Sequence, residues 1–203
     1  MTALPNRDRR AERREATRRE ILDAAWLIAR RDGLTAVTLR EVGEIVGMRA
    51  PSLYSHFASK NAIYDAMFAE SWQGLIDVFL AATFPGAPRQ ALFVEAEVFF
   101  DYATADLARD QLMNRRIIHD FEPSEAAFAI AIEAYERLRD SMRSKGVKRQ
   151  ADLDLWTALL AGAINQQHAN DLGGKRWRRQ LPRLVDMFCD EVDIPGPPLR
   201  RAK

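Results

Sequence analysis

The side chains best suited to chemistry in this sequence are concentrated in residues 38–60. They are hydrogen-bond donors and small groups: Thr38, Arg40, Arg49, Ala50, Pro51, Ser52, Tyr54, Ser55, His56 and Lys60. Hydroxyl, guanidinium and ammonium groups donate to phosphate oxygens, and an arginine can also pair bidentately with the edge of a guanine. We therefore predict that these residues contact DNA.

Groups typical of enzymes and metal sites do not recur at a useful spacing. His56, His119 and His168 are far apart in the sequence, and no cysteine or carboxylate stands at metal-ligand spacing from them. The sequence also lacks a glycine-rich phosphate loop, a nucleophile elbow and a paired-carboxylate pattern. We predict no catalytic residue, no metal and no cofactor. An all-α enzyme acting on an apolar substrate stays open as an alternative.

Two short helices joined by a glycine turn would position the predicted DNA contacts. Thr38 and Glu41 have the spacing of a capping box, and Gly47 can take the left-handed conformation that ends a helix. The first helix has a predicted buried face at Leu39, Val42, Ile45 and Val46. In the second, Pro51 suits the first turn, and Leu53 and Phe57 would point into the domain. A surface helical hairpin without a DNA role would have the same spacing.

Charge is distributed unevenly along the chain. The net charge is +1, yet residues 1–60 hold 12 Lys and Arg against 8 Asp and Glu, while the remaining residues are slightly acidic. A basic end on an acidic body is expected when one end of a protein meets DNA. The arginines at positions 7, 9, 10, 13, 14, 18 and 19 would lie near phosphates or belong to a solvated terminus.

The pattern after Ser59 is helical almost throughout. Helices are predicted at about Lys60–Ala82, Arg89–Ala108, Gln111–His119, Ser124–Lys145, Asp152–Asp171 and Trp177–Val192. The fold class is therefore all-α, with a DNA-binding domain at 1–60 and a helical domain at 61–192. Residues 193–203, with three prolines and a basic end, are predicted to be disordered.

Residues 38–60 and the preceding segment 21–34 resemble the DNA-binding region of the tetracycline-repressor (TetR) family. The shared positions are Gly33, Leu34, Thr38, Val42, Val46, Gly47, Leu53, Tyr54, Phe57, Ser59 and Lys60. The resemblance implies an N-terminal three-helix helix-turn-helix domain and a larger domain for ligand binding and dimerisation. Arg49 and Pro51 depart from the family, which often has a serine and a small residue there. We expect Arg49 to contact a guanine edge or a nearby phosphate.

Two further sites are expected in the larger domain. Aromatic and polar residues of its middle helices are candidates for a ligand pocket: Phe93, Phe100, Met113, His119, Phe121, Phe128 and Trp156. The last two helices offer candidates for a dimer interface: Leu159, Ala163, Gln166, Leu184 and Phe188. Most of these side chains could equally belong to the core of one subunit.

The sequence therefore predicts a homodimeric transcriptional regulator, more consistent with a repressor, that binds a pseudo-palindromic DNA operator. A small, largely apolar effector would release it; a ligand-independent DNA-binding dimer is the alternative. A chain with one cysteine, no apolar run of about 18 residues and no signal-like start is expected in the cytoplasm, without a membrane partner.

Overall fold

The computed structural model describes residues 9–199, apart from the side chain of Ala50. Within them the chain is all-helical, with nine α-helices and no strand. The helices are α1 (Arg9–Asp32), α2 (Leu39–Val46), α3 (Ala50–Tyr54), α4 (Lys60–Ala81), α5 (Pro88–Thr104), α6 (Leu107–Asn114), α7 (Glu125–Ser144), α8 (Gln150–Asn170) and α9 (Leu181–Glu191). No helix among these residues is long and apolar enough to span a lipid bilayer.

Side-chain caps begin the helices as the sequence predicts. The Oγ1 of Thr38 accepts a hydrogen bond from the N–H of Glu41 at 3.2 Å, and the Oγ of Ser59 accepts from Ala62 at 3.1 Å. Ser124 caps α7 in the same way. Only half of the predicted capping box forms, because the Glu41 carboxylate pairs with Arg31 of α1. That ion pair joins α1 to α2.

The predicted helix from Arg89 to Ala108 is interrupted. It ends at Thr104, and Asp106 begins α6 by accepting from the N–H of Arg109 at 3.1 Å. Aspartate is a strong N-cap because its carboxylate satisfies free backbone donors. The short helix therefore covers Leu107–Asn114 rather than Gln111–His119.

The core consists of two hydrophobic clusters. The first joins α1, α2, α3 and the start of α4 to α6 and the first half of α7. The second is built from α5, α8, α9 and the end of α7, with Trp156 and Phe188 in ring contact at 4.9 Å between centroids. The first cluster thus continues from the DNA-binding helices into the larger domain.

Residues 193–199 were predicted to be disordered, but Ile194 and Leu199 of this segment pack in the second hydrophobic cluster. Ile194 is buried, and its carbonyl accepts from the buried guanidinium of Arg89 at 3.1 Å. Arg89 also pairs with Asp186 and Asp190 of α9. A buried arginine needs acceptors for its five N–H groups, and this segment supplies one. The last four residues of the predicted tail, 200–203, lie outside the described residues.

Candidate nucleic-acid interface

Helix α3 is held from behind by buried side chains. Leu53 and Phe57 pack in the first core cluster together with Val42 of α2. These three residues were predicted to face the domain, and the structure confirms it. Ile45, which was assigned to the same buried face, is instead 42% exposed. The face that packs on the core is therefore narrower than predicted.

Two glycines set the turn between α2 and α3. Gly47 has φ 67°, the left-handed conformation predicted for it. The N–H of Met48 donates to the carbonyl of Gly43 at 2.8 Å and closes the turn. A Cβ on Gly43 would lie 2.6 Å from the Met48 carbonyl oxygen, so the two helices can approach only because Gly43 has no side chain. Sequence reasoning missed this role; its signal was a glycine inside a helix.

The outer side of this unit is exposed. Arg49, Pro51, Ser52 and Ser55 are exposed, and Tyr54 is 54% exposed. Arg49 occupies the N-cap position of α3 without a capping hydrogen bond. Stabilisation of the helix therefore does not explain why an arginine stands at this position. The backbone of Ala50 begins α3.

The two residues predicted from α2 and its cap are also exposed. Thr38 caps α2, and the side chain of Arg40 is 89% exposed, with its Nε 3.7 Å from Glu44. A weak surface ion pair of this kind is easily exchanged for a phosphate contact.

His56 and Lys60 differ from the other candidates because they are half-buried. The Nδ1 of His56 is buried and has no hydrogen-bond partner among the described residues. The Nζ of Lys60 lies 5.5 Å from the centroid of the Tyr64 ring. The His56 carbonyl lies next to Arg18 of α1, and a DNA contact by the His56 side chain stays a prediction.

Some of the N-terminal arginines support α3 from behind. Arg14 donates to the carbonyl of Ser55 at 3.3 Å, and Arg18 donates to that of His56. Arg18 also stacks on the Phe57 ring, 4.1 Å from its centroid. Arg19 pairs with Asp23 and Glu70. These arginines were expected either near phosphates or in a solvated terminus; Arg7 lies outside the described residues.

The candidate pocket residues do not line one cavity. Phe93, Phe100 and Trp156 pack in the second core cluster, and Phe121 packs on the first. Met113 is buried, while His119 and Phe128 are exposed. The structure therefore does not bring the seven candidates together, because aromatic composition does not distinguish core from cavity lining. A cleft of about 470 Å³ lies elsewhere, between α1, the segment after α3, α4 and α7.

The candidate dimer residues divide in the same way. Phe188 and Ala163 are buried in the second cluster, and Leu159 and Leu184 are half-buried against it. Gln166 is exposed. Phe188 and Ala163 are buried within one chain, so their side chains are not exposed to a second subunit. The exposed face of α8 carries other residues instead: Leu155, Ala158, Ala161, Gly162, Gln166 and Ala169.

A buried polar pair joins α6 to α8. The Oδ2 of Asp110 lies 3.6 Å from the Nε2 of His168, and both side chains are at least 95% buried. Burial raises the pKa of Asp110 above its ordinary value of 3.8, although a hydrogen bond from Asn114 opposes the shift. No group of three or more potential metal ligands is found in the part of the chain that the structure describes.

A glycine turn between α2 and α3, with an exposed polar face on α3, defines a helix-turn-helix DNA-binding protein. Residues 21–67 match the family described as bacterial regulatory proteins, tetR family. The chain is 25% identical over 152 residues to the HTH-type transcriptional regulator AcrR of Shigella flexneri, a match covering 70% of each chain. These similarities support a tetR family transcriptional regulator, and the match to the family itself lies in residues 21–67.

Two solved structures have the same fold. The TetR family transcriptional regulator PfmR from Thermus thermophilus superposes with a TM-score of 0.60 at 21% identity, over 98% of this chain and 100% of its own. The multidrug binding protein EbrR, solved with imidazole, gives 0.62 at 21% identity, over 97% of this chain and 100% of its own. At such identities the likeness describes the fold.

Proposed function

We propose that the protein is a dimeric repressor that binds a pseudo-palindromic operator through α3 and leaves it when a small molecule binds. The observation that carries the proposal is the arrangement of α3: Leu53 and Phe57 are buried, and Arg49, Ser52 and Tyr54 face outward. Side chains on an anchored helix keep the geometry that base and phosphate contacts require.

Dimerisation is supported by the size of the reading element. Helix α3 has five residues, and one such element reads too few base pairs to find a single site. Two heads one helical turn apart, about 34 Å, read a pseudo-palindrome. On the exposed face of α8, Ala158, Ala161 and Gly162 would let a second helix approach closely, and Leu155 is an exposed apolar side chain of the same helix. We propose this face as the dimer interface.

The two domains share contacts that could transmit a ligand signal. The proposed boundary between the DNA-binding domain and the larger domain lies after Lys60, and the first hydrophobic cluster contains residues on both sides of it. The Nε of Arg30 in α1 lies 2.8 Å from the Oδ2 of Asp106, the cap of α6. A ligand that favours another position of α6 would therefore also reposition α1 and the two heads. Only such differential affinity can release DNA.

The burial of residues in the middle of the second domain favours the alternative of a ligand-independent DNA-binding dimer. Phe100 and Trp156 are almost fully buried, as expected for a ligand-independent DNA-binding dimer. Small-molecule binding by EbrR, a protein of the same fold, supports the ligand-responsive candidate. The two candidates differ in whether any small molecule changes DNA affinity.

Sedimentation with a labelled operator duplex tests the proposal, followed by transcription from a promoter that contains the operator. We expect a free dimer, two chains per duplex, and less transcript as protein is added. Leu155→Asp should weaken the dimer, whereas Leu172→Asp, at another exposed leucine, should not. A monomer that binds one half-site, or an increase in transcript, would contradict the dimeric repressor.

A further inference from the structure

The cleft of about 470 Å³ lies at the junction of the DNA-binding helices and the body. Arg18 of α1 and His56 and Phe57, which follow α3, form one side. The other walls come from α4 and α7 and are mostly apolar: Ala62, Ala66, Ala69, Ala126, Ala127 and Ile130. The volume falls within the range of small-molecule sites, about 300–1,000 Å³. Short side chains leave room for a flat apolar group.

The polar groups of the cleft differ in how many of their hydrogen-bonding atoms have partners. Both carboxylate oxygens of Asp65 accept hydrogen bonds from Ser124, from its N–H at 2.6 Å and from its Oγ at 2.8 Å. Arg18 holds the carbonyl of His56 and the face of Phe57, and among residues 9–199 it has no carboxylate partner. The buried Nδ1 of His56 also lacks a partner there. The cleft therefore presents a half-buried cation that pairs with no carboxylate of residues 9–199, while the Asp65 carboxylate of the same cleft is bound by Ser124.

We propose that this cleft is the effector site and that it binds a small amphipathic organic anion, with the anionic group on Arg18 and a flat apolar body against the alanines and Ile130. The inference rests on the proposed function, because it names the ligand class for that switch. A guanidinium pairs strongly with carboxylates and sulfonates when water is partly excluded.

The position of Arg18 couples this site to DNA. Arg18 donates to the carbonyl of His56, two residues after α3 ends. A ligand anion competes with that carbonyl for the guanidinium, so binding favours a state in which this bond is released, while Arg14 still donates to the carbonyl of Ser55. A ligand that prefers the released state lowers DNA affinity, and DNA lowers ligand affinity by the same factor.

A matched pair of fluorescent probes tests the ligand class. Anilinonaphthalene sulfonate is a flat apolar anion, and N-phenylnaphthylamine has the same rings without the charge. We expect one bound sulfonate per folded chain, with the neutral probe weaker by about tenfold or more. Equal affinity for the two probes, or no saturable binding of the sulfonate, would overturn the proposal.

Matched variants test the location. Arg18→Gln removes the cation, and Ala126→Trp fills the cleft from an exposed position of α7. Each should lower the affinity for the sulfonate probe by about tenfold. Arg13→Gln and Ala129→Trp change exposed residues of the same two helices outside the cleft and should leave binding unchanged. Because Ala126→Trp alters an exposed position, it stays informative if Arg18→Gln unfolds. Wild-type affinity in Ala126→Trp would place the probe elsewhere and refute the site.

The DNA arm separates the two proposals. Operator binding is measured first without probe, so a failure there contradicts the proposed function alone. If DNA binds, the sulfonate should weaken it in the wild type and in Ala129→Trp, but not in Ala126→Trp. An equal effect in both tryptophan variants would leave the regulator intact and contradict the effector site.

Discussion

Replacing Gly43 by alanine should displace α3 more than it destabilises the fold. The added Cβ would lie 2.6 Å from the Met48 carbonyl oxygen and 3.2 Å from the Cδ1 of Leu53. Contacts below 3.0 Å are essentially never seen for a Cβ. The turn that leads into α3 must therefore move away from α2, and the side chains on α3 move with it.

The two energetic effects of this change oppose each other. Overpacking costs about 1–3 kcal/mol, whereas alanine gains about 1 kcal/mol over glycine inside a helix. We expect a net loss of unfolding free energy of about 0–2 kcal/mol. Losing one bidentate base contact costs about 1–3 kcal/mol, so DNA affinity should fall by roughly fivefold to a hundredfold.

Urea unfolding gives the stability, and anisotropy of a labelled operator duplex gives the affinity. Gly47→Ala is the matched control: its Cβ meets nothing within 4 Å, but its φ of 67° is strained for alanine. It should lose about 1–2 kcal/mol of stability and keep its DNA affinity while folded. A Gly43→Ala protein that is more stable than wild type and binds DNA equally well would refute the role of the close approach.

Three further predictions concern the same molecule. Arg49→Ala should alter base preference by about 1–3 kcal/mol at one position, whereas Tyr54→Phe should weaken all sequences alike; selection with each variant checks this, and unchanged preference in Arg49→Ala would sink it. Arg40→Ala should reduce the slope of log affinity against log salt by about 1.8, because each of the two heads loses one phosphate contact; Arg137→Ala, at an arginine of α7 paired with Glu133, is the unchanged control. The Asp110→Asn protein should become more stable than the wild type as pH rises. The raised pKa of Asp110 means that ionising this carboxyl above its ordinary pKa of 3.8 costs the folded state free energy. The gain should be absent below that pH, and a gain in urea unfolding that does not change with pH would contradict the prediction.

The parts that the sequence could predict depend on neighbours along the chain. Thr38 and Ser59 are caps because their hydroxyls reach an N–H three residues later. Gly47 ends α2 because of its own backbone angle. Local chemistry of this kind is readable from residue type and spacing. The same is true of the exposed face of α3, given one buried face.

The parts that it missed depend on contacts between distant segments. Gly43 is required by an atom of the next turn, and residues 193–199 are ordered by Arg89, far earlier in the chain. Arg18 is of a residue type that often contacts phosphates, but here it donates a hydrogen bond to the His56 carbonyl just after α3. Trp156 and Phe100 are aromatic residues of the kind that line ligand pockets, but they pack in the second hydrophobic cluster. Residue type alone does not determine which of two such roles a side chain takes.

Selection of bound DNA from a random pool tests the central claim most directly. We expect an enriched pseudo-palindrome whose half-sites lie about one helical turn apart, about 10 base pairs. We also expect the Arg49→Ala protein to select a different base in each half-site. A pool with no enriched sequence, or a site without two-fold symmetry, would contradict a dimer that reads DNA through α3.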